Sequence, residues 1–200
     1  MLTIPLQSGS NGNCVYVEAG NEETGTVRLL FDAGISGVQA KQRLARFGRR
    51  IEDVDAVIIS HDHSDHTSTM GVFHRKFGLP IWITRHTFKA AGRRRPLGKI
   101  EKVNHFRAGE TLRFTAGGCD VHVETVPTPH DGVDGVGFVV QHQGSRLGIL
   151  TDLGHRFDAL DEIISSLDAV LLESNYDPEM LDYGPYPEFL KARIRGSGGH

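Results

Sequence analysis

Ala56-Val57-Ile58-Ile59 leads through Ser60 straight into His61-Asp62-His63-Ser64-Asp65-His66, an HxHxDH cluster behind an unbroken apolar run. A short apolar run without polar alternation predicts a strand buried on both faces. Such a strand would deliver three imidazoles and a carboxylate into one loop, and divalent cations take those donor types. The stretch is therefore read as a buried strand that presents a metal-binding loop.

The rest of the chain limits what can surround that loop. At 200 residues it suits a single domain over 1–200. Its two cysteines, Cys14 and Cys119, lie far apart and outside any C-x-x-C pair. That argues against a disulfide framework or a thiolate zinc site and fits a reducing compartment, with the cytoplasm as the expected location. Met1 to Ser10 has no basic segment followed by an apolar one, and no apolar run reaches the length of a membrane span, so no membrane association is expected. A net charge of −3 conceals an asymmetry: residues 41–107 hold 15 Lys+Arg against 6 Asp+Glu, and residues 108–200 hold 6 against 15. A polyanion-binding surface beside a cation site would give that distribution, and so would solvated faces of amphipathic helices.

Turn residues and alternation predict strands at Leu2 to Leu6, Cys14 to Glu18, Thr26 to Phe31 and Asp55 to Ser60. Helical spacing marks Val38 to Phe47, stopped by Gly48, then Thr67 to Phe77, stopped by Gly78, and a short Thr87 to Ala91. Ile81 to Thr84 reads as a strand, and Arg93-Arg94-Arg95 as an exposed loop before Pro96. Strands follow at Thr111 to Thr115, Asp120 to Val126, Gly137 to His142, Arg146 to Thr151 and Ala169 to Glu173, with helices at Phe157 to Ser165 and Pro187 to Ile194. Helices scattered among many strands fit an α/β fold with sheets inside and helices outside.

Four further polar residues sit at expected strand ends: Asp32 after Leu29-Leu30-Phe31, His130 after Val126-Pro127, Asp152 after Thr151 and Glu173 after Leu172. A scaffold fixes such positions while leaving them accessible, which makes His130 and Asp152 candidate ligands. Phe31-Asp32-Ala33-Gly34, Ser60 through His66, His130, Thr151-Asp152 and Gly199-His200 stand in the order used by the metallo-β-lactamase-fold hydrolases, which this chain resembles. Ser8-Gly9-Ser10-Asn11-Gly12-Asn13, Leu172 through Asp177, Gly184-Pro185-Tyr186-Pro187 and Leu190 through Ile194 are similar to the bacterial YycJ/WalJ branch of that family. The resemblance covers almost the whole chain and implies a four-layer αββα sandwich.

It also implies a site with two divalent ions, Zn or Mn: one held by His61, His63 and His130, the other by Asp65, His66 and His200, with Asp152 bridging them. Asp32 is then an acceptor that orients a ligand imidazole rather than a ligand itself. Two cations make hydroxide available near neutral pH, and Asp65 could orient it or take its proton. His155, three residues after Asp152, is a candidate leaving-group acid or substrate contact, and Glu173 and Asn175 could shape the site. His74, His86, His105, His122 and His142 read as structural or solvated. Relatives in the branch continue past the Gly-His pair, so the sequence is expected to extend beyond His200, and the 200-residue species to hold its second metal weakly. Tyr176 stands where many relatives have His.

The function expected from the resemblance is a phosphodiesterase, specifically a 5′-3′ DNA exonuclease using a metal-activated hydroxide. Arg93, Arg94 and Arg95, with Arg43, Arg46, Arg49, Arg50 and Lys89, are candidates for the DNA backbone. Phe47, Trp82 and Phe88 nearby read as core rather than base-stacking residues. Hydrolysis of a small ester, thioester, lactone or cyclic phosphate is the alternative, because fold and metals do not fix a substrate. Non-catalytic zinc-binding regulation is the third reading, and the intact ligand motif weighs against it.

Overall fold

A computed structural model describes residues 1–174, 177–196 and 198–199 of the chain. Its first sheet runs in sequence order through β1 (Leu2–Gln7), β2 (Cys14–Asn21), β3 (Gly25–Phe31), β4 (Ala56–Ile58), β5 (Ile81–Thr84) and β6 (Val103–Phe106). The β1–β2 and β2–β3 pairs are antiparallel, and β3 to β6 are parallel. The second sheet comprises β7 (Thr111–Ala116), β8 (Cys119–Pro127), β9 (Val136–His142), β10 (Ser145–Leu150) and β11 (Ala169–Leu172), in the order β11-β10-β9-β8-β7. Only its β10–β11 pair is parallel. The helices are α1 (Gly37–Ala45), α2 (Ser64–Thr67), α3 (Met70–Phe77), α4 (Arg85–Arg94), α5 (Leu160–Ser165), α6 (Pro178–Tyr183) and α7 (Glu188–Arg195).

Side-chain alternation sorts the apolar residues into layers. Along β4, Ala56 and Ile58 face the second sheet, where Val121, Val123, Phe138 and Val140 complete the inner core. Val57 and Ile59 point the other way, into a cluster closed by Ala40 and Leu44 of α1 and by Met70 and Phe73 of α3. Both faces of β4 are thus buried, which explains its unbroken apolar run. On the far side of the second sheet, Leu150 packs with Leu153, Leu160 and Ile163. Helix, sheet, sheet and helix form the αββα arrangement.

Some local expectations are corrected. Thr67 to Phe77 is not one helix: α2 and α3 are separated at Ser68-Thr69, where Thr69 Oγ1 donates to Ala33 O (2.8 Å) and Ile35 O (2.5 Å) and ties the chain to the β3–α1 loop. Arg93 and Arg94 are helical, not in a loop. Thr84 caps α4 through the Thr87 amide at 3.1 Å, and the helix runs to Arg94 before Arg95 turns extended ahead of Pro96. Phe47 is 56 % exposed and outside the core, whereas Trp82 packs against Phe114 at 5.1 Å between the sheets. The sequence reading has no counterpart for β6, whose Val-Asn-His-Phe pattern breaks alternation, for the 3-10 turn at Ile51–Asp53, or for α6, which the Asp177 cap and Pro178 at its first turn could have revealed.

Candidate active site

Parallel strands collect their loops at one edge, and here that edge receives Asp32 after β3, His61 after β4, His130 after β8 and Asp152 after β10. Asp32 (φ 65°) and Asp152 (φ 54°) both take left-handed backbone, a conformation that Asp tolerates better than most residues and that turns the chain sharply as each strand ends. The HxHxDH segment is not a single loop, since Ser64 to Thr67 form α2, and it is locked from below: Asn13 N donates to Asp65 O at 2.7 Å and Ala33 N to His66 O at 2.7 Å. Gly34 lies under this segment, where a Cβ would come within 1.6 Å of Asp65 O.

Hydrogen bonds set the imidazole tautomers. Ser60 Oγ lies 2.9 Å from both oxygens of buried Asp32 and donates to that carboxylate, so it accepts from His61 Nδ1 at 3.0 Å. His66 Nδ1 donates to Asp32 Oδ2 at 2.7 Å, and His63 Nε2 lies 3.2 Å from Asp131 Oδ1 as an ion-pair contact. The opposite ring nitrogens are left as acceptors. His61 Nε2 and His63 Nδ1 stand 3.0 Å apart, and His130 Nε2 is 3.1 Å from His63 Nδ1. A second convergence brings together His61, His66 and Asp152, with His66 Nε2 3.4 Å from Asp152 Oδ2 and 3.6 Å from Asp65 Oδ2.

Proton affinities follow the surroundings. Burial, reinforced by the neighbouring His66, holds His61 well below the usual imidazole range, and burial also lowers His63. Burial acts in the same direction on His66 but is outweighed by the Asp32 charge and by bonds to Asp152 and Asp32, which raise it to about 10. The Asn13 amide is oriented by Gly9 N–H into its Oδ1 at 2.8 Å, so Nδ2 donates to His66 Nε2 at 2.9 Å. This bond belongs to neutral His66, and it meets the same electrostatic demand as the proton: the space beyond Nε2 favours positive charge. Asp131 is desolvated, but Arg193 and nearby imidazoles keep its carboxyl below the ordinary range.

These residues fit a divalent cation. Lone pairs aimed at one another cannot bond among themselves, and a cation accepts all of them. His61 and His66 have their other ring nitrogens bonded to Ser60 and Asp32, the arrangement that raises ligand basicity, and His63 Nε2 sits beside the Asp131 carboxylate. His200, assigned to the second metal by resemblance, lies outside the described residues, as do Asn175 and Tyr176.

Beside the donors is a cavity of about 450 Å³, lined by His63, Asp65, Asp131, Asp152, Arg94 and Arg193 among others. Asp131, Arg193, Asn13, Ser60 and Asp62 have no place in the ligand and substrate sets read from sequence. Arg193 meets Asp131 from 62 positions away, and no local pattern announces such a pair. Arg93 and Arg95 are exposed and do not border the cavity; His155 is exposed near Asp152 in sequence and outside the two donor groups. The other histidines are engaged elsewhere. His74 donates through Nδ1 to Leu79 O and accepts through Nε2 from Glu101 N, His105 bonds Ile83 O, His142 bonds Asp120 O, and His86 and His122 pair with Asp134 and Asp120.

The sheets, the strand-end loops and the donor set define a metal-dependent hydrolase of the metallo-β-lactamase fold, and the chain belongs to this superfamily: residues 27–190 match the Beta-lactamase superfamily domain. The chain is 35% identical over 197 residues to exodeoxyribonuclease WalJ of Streptococcus pneumoniae, covering 98% of this chain and 70% of that protein. It is 33% identical over the same length to exodeoxyribonuclease YycJ of Bacillus anthracis, with the same coverage. Among solved structures, Zn(2+)-bound PqqB from Methylobacterium extorquens shares the fold with a TM-score of 0.64 at 16% identity, over 88% of this chain and 62% of that one. No helix among the described residues is long and apolar enough to cross a membrane.

Proposed function

We propose that the chain is a cytoplasmic phosphodiesterase that shortens DNA from its ends in the 5′-to-3′ direction, using two divalent ions, Zn or Mn. The observation that carries the substrate is the similarity, over 98% of the chain, to two proteins named as exodeoxyribonucleases. Divalent cations, when bound, supply Lewis acidity that eases deprotonation of water and offsets charge at the attacked phosphorus. His61, His63 and His130 would hold one ion, and Asp65, His66 and His200 the other, with Asp152 between. Asp32 and Ser60 keep the imidazoles turned toward the cations, and Asp65, at the cavity wall, takes the proton of the attacking water. His155 is proposed to protonate the departing oxygen.

A basic surface supports the DNA reading. Arg85, Lys89 and Arg93 stand exposed on α4 at four-residue spacing, about 6 Å per step along the axis, next to Arg94 at the cavity. The test is incubation of the metal-loaded protein with 5′- and 3′-labelled DNA, RNA and small esters, beside Asp65→Ala. Mononucleotide release from the 5′ end, absent in the variant, is expected. Hydrolysis of esters alone would overturn the nuclease reading.

A further inference from the structure

We propose that Arg94 and Arg193 form a two-sided phosphate clamp over the metal-binding residues, each guanidinium held in place by a carboxylate of the site itself. This rests on the phosphodiesterase reading above. Arg94 Nε donates to Asp62 Oδ2 at 2.6 Å, and Asp62, 1 % exposed, is fixed in turn by Val133 N donating to Oδ1 at 2.7 Å. Arg193 reaches Asp131 with Nε at 2.8 Å and Nη2 at 3.2 Å, and Asp131 is the carboxylate that contacts His63. The two arginines come from α4 and α7, distant elements that meet at one cavity.

Three features distinguish this pair from surface ion pairs. Both arginines line the cavity while their side chains stay about half exposed, 49% and 53%. Each keeps donors in reserve: among the described residues Nη1 and Nη2 of Arg94 and Nη1 of Arg193 make no other hydrogen bond. Of the cavity's carboxylates, Asp65 and Asp152 would be offset by the cations they hold, whereas Asp131 belongs to neither ion and has Arg193 beside it to keep its charge from opposing a phosphodiester. A planar guanidinium pinned at Nε presents its remaining N–H groups in a fixed fork suited to phosphate oxygens, and little side-chain freedom remains to be lost on binding.

The experiment compares metal-loaded wild type, Arg94→Ala, Arg193→Ala and Arg193→Lys. It reads metal content, steady-state kcat and KM on labelled DNA, and binding of a hydrolysis-resistant phosphorothioate oligonucleotide at several salt concentrations. Each alanine variant is expected to keep its metal and to bind roughly ten- to hundredfold more weakly. Its slope of log affinity against log salt should become shallower by about one. Arg193→Lys retains the charge beside Asp131, so it should keep the wild-type slope with reduced affinity. Unchanged affinity and slope in both alanine variants of a protein that degrades DNA would overturn the clamp and leave the nuclease reading standing. A wild type that neither binds nor degrades DNA would overturn the nuclease reading, and the clamp with it.

Discussion

Replacing Asp32 tests how the site is oriented. Its buried carboxylate accepts Ser60 N at 2.8 Å, Ser60 Oγ at 2.9 Å and His66 Nδ1 at 2.7 Å. Asp32→Asn keeps the shape but turns one acceptor oxygen into an NH2 group, which must face either Ser60 N–H or His66 Nδ1–H. One charge-assisted bond is lost and one buried donor is stranded, a cost of about 3 kcal/mol. Asp32→Ala removes every acceptor and places alanine at φ 65°, adding about 1 kcal/mol of backbone strain. Without its anchor the His66 ring is free to turn, and metal affinity should fall about 10- to 100-fold. Urea denaturation reads the first quantity and chelator competition the second. An Asp32→Asn protein matching wild type in both would refute the claim that Asp32 holds His66 for metal.

Acidity should separate the two halves of the site. His66, raised to about 10, stabilises the metal-free protein fully below about pH 6.5, and that contribution is lost as pH rises through about 10. His61 is depressed, so its contribution is present above about pH 6.5 and is lost as pH falls through its lowered value. A cation at His66 must displace a proton, and its affinity should rise about tenfold per pH unit between about 7 and 9, while binding on the His61–His63 side changes little. Equal pH slopes for two resolved metal equivalents would contradict this assignment. Gly34→Ala should destabilise the fold by about 3 kcal/mol or more and lower metal content, because the new Cβ would strike Asp65 O at 1.6 Å and Asn13 N at 2.5 Å, both backbone atoms. A denaturation midpoint within error of the parent would show that the loop can move aside.

Periodic elements were the legible part of the fold. β4 betrayed itself through an apolar run buried on both faces, and Gly78 marked the end of α3 through its left-handed φ of 74°. The α2–α3 break was hidden because it depends on Thr69 reaching carbonyls 34 and 36 residues earlier in the chain. The same division runs through the site. His61, His63, Asp65 and His66 fall within six consecutive residues and can be read together, although Asp65 and His66 stand on the short helix α2 rather than in the expected loop, while His130 and Asp152 became legible through their places at strand ends. Asp131 and Arg193, or Asp62 and Arg94, become partners only when loops and helices converge, and a carboxylate in the middle of HxHxDH looks like a spacer until its burial is seen.

Dependence of the chain's nuclease activity on divalent cations held at His61, His63 and their neighbours is the expected behaviour. Its most direct test is release of nucleotides from 5′-labelled DNA by the metal-stripped protein, the same protein reloaded with Mn²⁺ or Zn²⁺, and His63→Ala treated identically. Activity should vanish with the metal, return on reloading in the wild type, and stay absent in His63→Ala, whose measured metal content should also be lower. Nucleotide release that persists in chelator, or that His63→Ala matches after reloading, would contradict it.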